Sequence, residues 1–312
     1  MKICFAGLGS IGKRHLRNLV SVLGECGQPR EIHALRRGKK ALNAETGALI
    51  DKQAFSMEEL DGDYDAVFIT NPTLLHYEAL RALLPRTKHA FIEKPLFERA
   101  NYDVAALPFR EGGVYYVAAP LRFSGVFRCV AGFVEKERVF CARAISSSYL
   151  PDWRQGVDYR DTYSARRELG GGVTLDLIHE WDYLKALFGP PKTLHRISGR
   201  FSELEITSDD ISCYLAGYDD KIVEVHLDYF GREIRRLLEL YTREGVLYAD
   251  FLNRSVTLKN GRNARPLPVS EADQYLEEMR HFIGMCLGLR HENPNTVSNA
   301  LETLKLATGG LL

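Results

Sequence analysis

Lys94, and the pair Asp176 and His179, are the side chains of this 312-residue chain best suited to moving protons. Lys94 ends the apolar run His89-Ala90-Phe91-Ile92-Glu93 and precedes Pro95. An ammonium at the carboxyl end of a sheet can hydrogen-bond a hydroxyl or carbonyl oxygen, and partial burial would depress its pKa toward proton transfer. Asp176 and His179 lie three positions apart on an expected helix, Val173 to Phe188, so both would face one side, with the carboxylate orienting the imidazole. The preceding Gly170-Gly171-Gly172 would let backbone approach a ligand. The stretch from Leu150 to Glu168 carries Trp153, Arg154, Tyr159, Arg160, Tyr163, Arg166 and Arg167 beside Asp152, Asp158 and Asp161. Its aromatic faces suit a sugar or base and its arginines a phosphate or carboxylate, although a solvated loop accounts for the same balanced charges.

Such groups need a cofactor or substrate held against them, and the first twelve residues supply a cradle. The short strand Lys2 to Ala6 runs into Gly7, Gly9 and Gly12 and then into a helix with Ile11, Leu16, Leu19, Val20 and Leu23 on one face. Gly7 permits the turn, Gly9 admits a pyrophosphate, and Gly12 lets helix and strand pack closely. The amides around Ser10 and Ile11, at the positive end of the helix dipole, would bind the phosphates. The same residues nearly spell a mononucleotide loop, Gly7-x-x-x-x-Gly12-Lys13, but Arg14 stands where a magnesium-binding hydroxyl belongs. The second strand ends in Arg36-Arg37, followed by Gly38-Lys39-Lys40, with no carboxylate for a ribose 2′-hydroxyl. Guanidinium groups there suit a 2′-phosphate, so NADP is expected over NAD.

Composition narrows the class. Hydrophobic residues make up 45% and charged residues 26%, as in water-soluble globular proteins. The 41 basic and 41 acidic side chains cancel, giving no global field for nucleic acid or an anionic membrane. Six scattered cysteines contain no C-x-x-C pair, which argues against a zinc site or disulfide framework and for a reducing, cytoplasmic setting. His15, His33, His89, His195, His226, His281 and His291 show no metal-like spacing and read as structural or exposed. No metal, membrane span or export signal is expected.

The elements that must position these groups fall into two domains, 1–120 and 121–312. The first alternates strand and helix, with strands expected at Lys2 to Ala6, Glu31 to Leu35, Asp65 to Thr70, His89 to Glu93 and Val114 to Ala118, and a helix from near Thr73. In such a parallel sheet the carboxyl edge binds ligands, which brings Gly7, Arg36, Asn71 and Lys94 to one edge. The second reads as a helix (Gly125 to Lys136), a strand (Val139 to Tyr149), the loop and helix above, and six further strands of an antiparallel sheet between Thr193 and Lys259. Two final helices follow, one opened by Ser270 with Asp273 and one from about Thr296. The fold class is α/β: an N-terminal Rossmann domain followed by an α+β domain with a large open, mostly antiparallel sheet. Its helix-free face is expected to pair with another subunit in a homodimer or homotetramer.

The order of the glycine turn, Asn71-Pro72 with His76, Glu93-Lys94-Pro95, Arg122-Phe123, and Gly170-Gly171-Gly172 leading to Asp176 and His179 resembles the Gfo/Idh/MocA family of oxidoreductases across essentially the whole chain. The resemblance implies that Lys94 lies between nicotinamide and substrate, with Asp176 and His179 in catalysis or substrate binding. It places Gly7, Gly9, Ser10, Ile11, Gly12, Asn71, Pro72, His76, Glu93, Lys94 and Arg122 around the cofactor, joined by Arg36 and Arg37 of the basic run. Lys94, Arg122, Trp153, Arg154, Tyr163, Asp176 and His179 would then meet the substrate. Many members set Asp and His one position further apart, which rotates His179 by about 100 degrees around an ideal helix. The expected activity is hydride transfer between nicotinamide and a hydroxyl or keto carbon of a sugar, sugar acid or nucleotide sugar. Competing readings are a non-catalytic NADP-binding sensor or scaffold and a cofactor-assisted elimination or hydrolysis enzyme.

Overall fold

Apolar runs alternating with amphipathic segments build a six-stranded sheet within the first 120 residues. In the computed structural model, which describes residues 1–38 and 41–311, the chain forms two units. Lys39 and Lys40 of the basic run lie outside the described residues. The first unit comprises residues 1–120 and 275–301, and the second 121–274 and 302–312.

In the first unit β1 (Lys2–Ala6), α1 (Ser10–Glu25), β2 (Glu31–Leu35), α2 (Ala44–Gly47), β3 (Lys52–Ala54), β4 (Tyr64–Ile69), α3 (His76–Leu83), β5 (Thr87–Ile92) and β6 (Tyr115–Val117) follow in turn. All strand pairs are parallel, in the order β3-β2-β1-β4-β5-β6. The short β3 and the single turn α2 leave no periodic trace in the sequence. Strand order reverses at β1, where β2 and β4 flank it, and that reversal opens the ligand crevice of such sheets. Registers set Ala6 beside Leu35 and Ile69, and Ile69 beside Ile92, so the carboxyl ends stand level. Phe5 stacks on Phe68 at 4.5 Å and Phe68 on Phe91 at 5.1 Å, joining β1, β4 and β5 through one aromatic column.

The second unit contains α4 (Gly125–Val134), β7 (Val139–Tyr149), α5 (Val173–Asp176), α6 (His179–Phe188), β8 (Thr193–Gly199), β9 (Ile211–Gly217), β10 (Ile222–Asp228), β11 (Phe230–Thr242), β12 (Gly245–Asp250), β13 (Ser255–Asn260) and β14 (Asn263–Leu267). Its eight-stranded sheet runs β14-β13-β12-β11-β7-β10-β9-β8 and is antiparallel except for the parallel pair β7 and β10. Neither the parallel pair nor β14 is expected from the sequence.

Two further expectations are corrected. The single helix from Val173 to Phe188 is broken: Leu177, at φ −100° and ψ 28°, leaves the helical path between α5 and α6. Asp209 anchors α5, accepting from the Val173 amide at its carbonyl and from the Thr174 amide at its carboxylate, while Leu177 and Ile178 both bury their side chains. The second correction concerns the domains, because α7 (Gln274–Cys286) belongs with the first unit from Tyr275 onward. Phe282 packs edge-on against Phe91 at 5.3 Å and Phe68 at 5.6 Å. The buried Glu278 carboxylate accepts from the Tyr116 hydroxyl and the Ala119 amide at 2.8 and 2.6 Å. The expected opening by Ser270 gives way to a start at Gln274, with the Ser270 hydroxyl accepting from the Ala272 amide instead.

Candidate active site

Each of the three turn glycines has its own physical reason. Gly7 adopts φ +101°, and a Cβ there would lie 2.8 Å from the Asn71 backbone. At Gly12 a Cβ would meet the Gly7 carbonyl at 2.7 Å and the Thr70 hydroxyl at 2.9 Å. At Gly9 a Cβ would meet nothing within 4 Å, so this residue faces an open cradle. Gly9 is the N-cap of α1 and supplies no side-chain cap, which leaves the first-turn amides of Ser10, Ile11 and Gly12 directed at that space. The buried Asn71 Oδ1, one residue beyond the Thr70 that tethers Gly7, has no hydrogen-bond partner. Two packed glycines, one open glycine, uncapped amides and an orphaned acceptor fit a bound dinucleotide.

Along the same edge, Arg36 follows β2 with its amide bonded to the Ala54 carbonyl and its guanidinium donating to Gln53 Oε1 at 2.6 Å. Arg37 beside it is exposed. At the amino ends of the strands, Glu31, His33 and Asp61 bring potential ligand atoms within 4.8 Å of one another, a grouping that residue spacing does not disclose. The ammonium groups of Lys2 and Lys52 already neutralise Asp61, at 2.8 and 2.5 Å.

The turn after β5 is held from two sides. Glu93 is 7% exposed; its Oε2 accepts from the Lys94 amide at 3.0 Å, and its Oε1 bonds the His15 Nε2. Burial alone would push the Glu93 carboxyl up, but the His15 bond and charge, with those of Lys94, hold it below the usual carboxylate range. His76 lies buried with Nδ1 3.1 Å from the Leu96 carbonyl and Nε2 3.0 Å from that of Asn71. It therefore ties the loop after β4, with Pro72, to the turn carrying Lys94, and burial pushes its pKa down despite those carbonyls. His76, expected from the sequence beside the ligand, braces the backbone around that place. His15, read from the sequence as structural, proves to contact the lysine motif itself.

In the second unit a different construction surrounds Asp176. The fully buried Tyr229 donates its hydroxyl to Asp176 Oδ2 at 2.5 Å. Tyr163 also bonds this carboxylate; the Asp176 charge and burial push the Tyr163 phenol up, while burial and then Asp176 do the same to Tyr229. Trp153 meets the Tyr229 ring edge-on at 5.2 Å, and the Arg154 guanidinium lies 5.6 Å from the centre of the Tyr163 ring. His179 opens α6, buried, on the far side of the Leu177 break from Asp176. Unlike Asp176 and His179, Tyr229 has no sequence signal, because it lies at a strand junction without any motif around it.

Three sequence-based roles in this unit change. The glycine cluster serves internal packing: a Cβ on Gly171 would fall 1.9 Å from the Tyr163 carbonyl, one on Gly172 2.1 Å from Asp209 Oδ1, and Gly170 takes a left-handed φ of 78°. Arg160 is committed to Asp158 and Glu205, at 2.6 and 2.5 Å, so it is no free anion clamp. Arg154 forms no ion pair among the described residues. Arg122 donates from Nε and Nη2 to the Asp182 carboxylate at 2.9 and 2.8 Å, so its buried fork braces α6.

Residues 1–107 match the family model described as an oxidoreductase family with an NAD-binding Rossmann fold. The chain is 28% identical over 277 residues to a 1,5-anhydro-D-fructose reductase of Ensifer adhaerens, covering 83% of this chain and 80% of that protein. It is 24% identical over 308 residues to a myo-inositol 2-dehydrogenase of Thermotoga maritima, covering 91% and 87%. Among solved structures, a levoglucosan dehydrogenase in complex with NADH and levoglucosan matches with a TM-score of 0.81 at 14% identity, over 99% of this chain and 95% of that one. A biliverdin reductase of Synechocystis sp. PCC 6803, in complex with biliverdin and NADP+, matches at 0.79 and 15%, over 98% and 96%. The two structures share this fold while one holds NADH and the other NADP+. With the glycine turn, the level sheet edge and the Glu93-Lys94-Pro95 turn in place, residues 1–107 carry the NAD-binding Rossmann fold of this oxidoreductase family, and the rest of the chain is similar to sugar dehydrogenases and reductases of the same two-domain fold.

Proposed function

We propose that the protein is an NADP-dependent oxidoreductase acting on a hydroxyl or keto carbon of a sugar, sugar acid or nucleotide sugar. The observation that carries this is Lys94, placed at the carboxyl edge of the sheet that bears the dinucleotide cradle, with its backbone fixed by Glu93. Bound NADP supplies the hydride acceptor or donor. Gly7, Gly9, Ser10, Ile11 and Gly12 hold its pyrophosphate, and Arg36 and Arg37 its 2′-phosphate, the group that separates it from NAD. Asn71, Pro72 and His76 form the wall toward Lys94. Lys94 Nζ hydrogen-bonds the reacting oxygen and exchanges the proton that interconversion of alcohol and carbonyl requires. In the second unit Asp176, steadied by two tyrosines, and His179 bind substrate hydroxyls. Trp153 and Tyr163 offer aromatic faces, and Arg154 suits a carboxylate or phosphate substituent.

The setting is proposed as cytoplasmic, in keeping with six unpaired cysteines. No helix among the described residues is long and apolar enough to cross a membrane. The second-unit sheet leaves Ile197, Leu215 and Ile222 exposed on adjoining strands, 71%, 48% and 50%, which supports assembly as a homodimer or homotetramer through that face.

A thermal-shift panel of sugars, sugar acids and nucleotide sugars on NADPH-saturated protein identifies the substrate class, because native-state ligands raise the melting temperature. Lys94→Ala is then expected to lower turnover of the responding compound by about a thousandfold while NADPH affinity stays within about threefold. Turnover surviving that substitution overturns the assignment of Lys94. A silent panel with intact NADPH binding favours a sensor.

A further inference from the structure

The packed face of α1 is apolar, formed by Leu16, Leu19, Val22 and Leu23 with Gly12, except at His15. This imidazole is fully buried, its ring 4.7 Å from that of Phe91 and 6.3 Å from that of Tyr275. Its Nδ1 has no hydrogen-bond partner. A leucine would fill comparable space on that face without burying two ring nitrogens, one of them unsatisfied, so packing alone does not account for a histidine. Its hydrogen bond goes from Nε2 to Glu93 Oε1; the ionised carboxylate can only accept, so Nε2 is the donor. The other oxygen of the same carboxylate accepts from the Lys94 amide.

A continuous connection results. The open Gly9 cradle caps α1, and α1 carries His15 in its second turn. His15 holds Glu93, and Glu93 holds the backbone of Lys94.

We propose that His15 is a positioning residue that links the dinucleotide turn to Lys94, fixing the lysine backbone through the Glu93 carboxylate and tightening it when dinucleotide settles on α1. This deepens the assignment of Lys94 above and rests on it. Without the His15 donor, one oxygen of a buried carboxylate loses its partner, and the carboxylate is free to leave the Lys94 amide. The effect is therefore local to one peptide group rather than spread over the helix.

Amide hydrogen exchange resolved at Lys94 and along β5 reads this directly, in the whole protein and without any substrate. In His15→Leu the Lys94 amide is expected to exchange roughly tenfold faster, with Ala90 to Ile92 unchanged. His15→Gln, whose amide can donate to Glu93, should restore the rate to within about twofold of wild type. NADPH should slow exchange at Lys94 in the wild type and in His15→Gln, but not in His15→Leu. If leucine prevents folding, Glu93→Ala gives the same selective acceleration at Lys94.

An unchanged Lys94 amide in these variants overturns the inference. So does equal acceleration throughout α1 and β5 that glutamine fails to rescue, since that describes packing alone. The exchange experiment does not involve turnover, so retention of activity in Lys94→Ala removes the catalytic assignment separately.

Discussion

The carboxyl edge of the first unit is built from backbone, whereas the cluster around Asp176 in the second unit is built from side chains that the chain brings together from far apart. At the edge, strand registers and three glycines do the placing, and the polar atoms offered to a ligand are largely main-chain amides. Around Asp176 the placing falls to Tyr163, Tyr229 and Asp209, drawn from three different segments. Backbone-built sites leave a fixed spacing in the sequence. Sites built from side chains leave residue types without addresses.

The sharpest way to break the comparison is at the glycines. Gly7→Ala puts a Cβ 2.8 Å from the Asn71 backbone at a positive φ, so it should cost about 2–3 kcal/mol of stability and abolish measurable NADPH binding. Gly9→Ala meets no protein atom, so the melting temperature should stay within a degree or two while NADPH affinity falls by roughly tenfold or more. Equal effects of the two substitutions in melting and fluorescence titration would show that the edge is not divided between packing and ligand. Next in size, Arg36→Ala should weaken NADPH by about tenfold and leave NADH unchanged, as titration of both dinucleotides will show.

In the second unit, Tyr229→Phe should cost about 1–2 kcal/mol in chemical denaturation, because a buried hydroxyl and its carboxylate acceptor lose each other. NADPH affinity should move less than about twofold, since the cradle is made elsewhere. The smallest effect concerns pH. Glu93 has a lowered folded-state pKa, so its contribution to stability is present above the ordinary carboxylate pKa and is lost as pH falls through the folded value. Glu93→Gln should therefore be less stable than wild type by about 1 kcal/mol at pH 7, with the gap closing below about pH 4.5 in urea titrations.

What the sequence discloses follows the same division. The glycine turn, five of the six strands of the first sheet and Lys94 are legible because local periodicity and main-chain geometry decide them. The break at Leu177 is not: Val173 to Phe188 keeps helical apolar spacing throughout, and the interruption comes from the tether of α5 to Asp209, more than thirty positions away. The glycines at 170–172 mislead for a related reason. Their spacing is consistent with a ligand, yet the Tyr163 carbonyl and the Asp209 carboxylate occupy the space a side chain would need. His15 hides in an amphipathic pattern, where one polar residue on an apolar face gives no hint of Glu93, 78 positions later.

The return of α7 to the first unit also constrains how the protein is made. When the ribosome has delivered residue 120, β1 to β6 exist, but the Phe282 ring that covers Phe68 and Phe91 and the Glu278 carboxylate that satisfies Tyr116 and Ala119 do not. The nascent sheet must wait, with an aromatic face uncovered, while more than 150 further residues are synthesised. Such an interval favours chaperone engagement at the ribosome, and it makes a fragment ending at residue 120 a candidate for aggregation rather than a minimal dinucleotide-binding module.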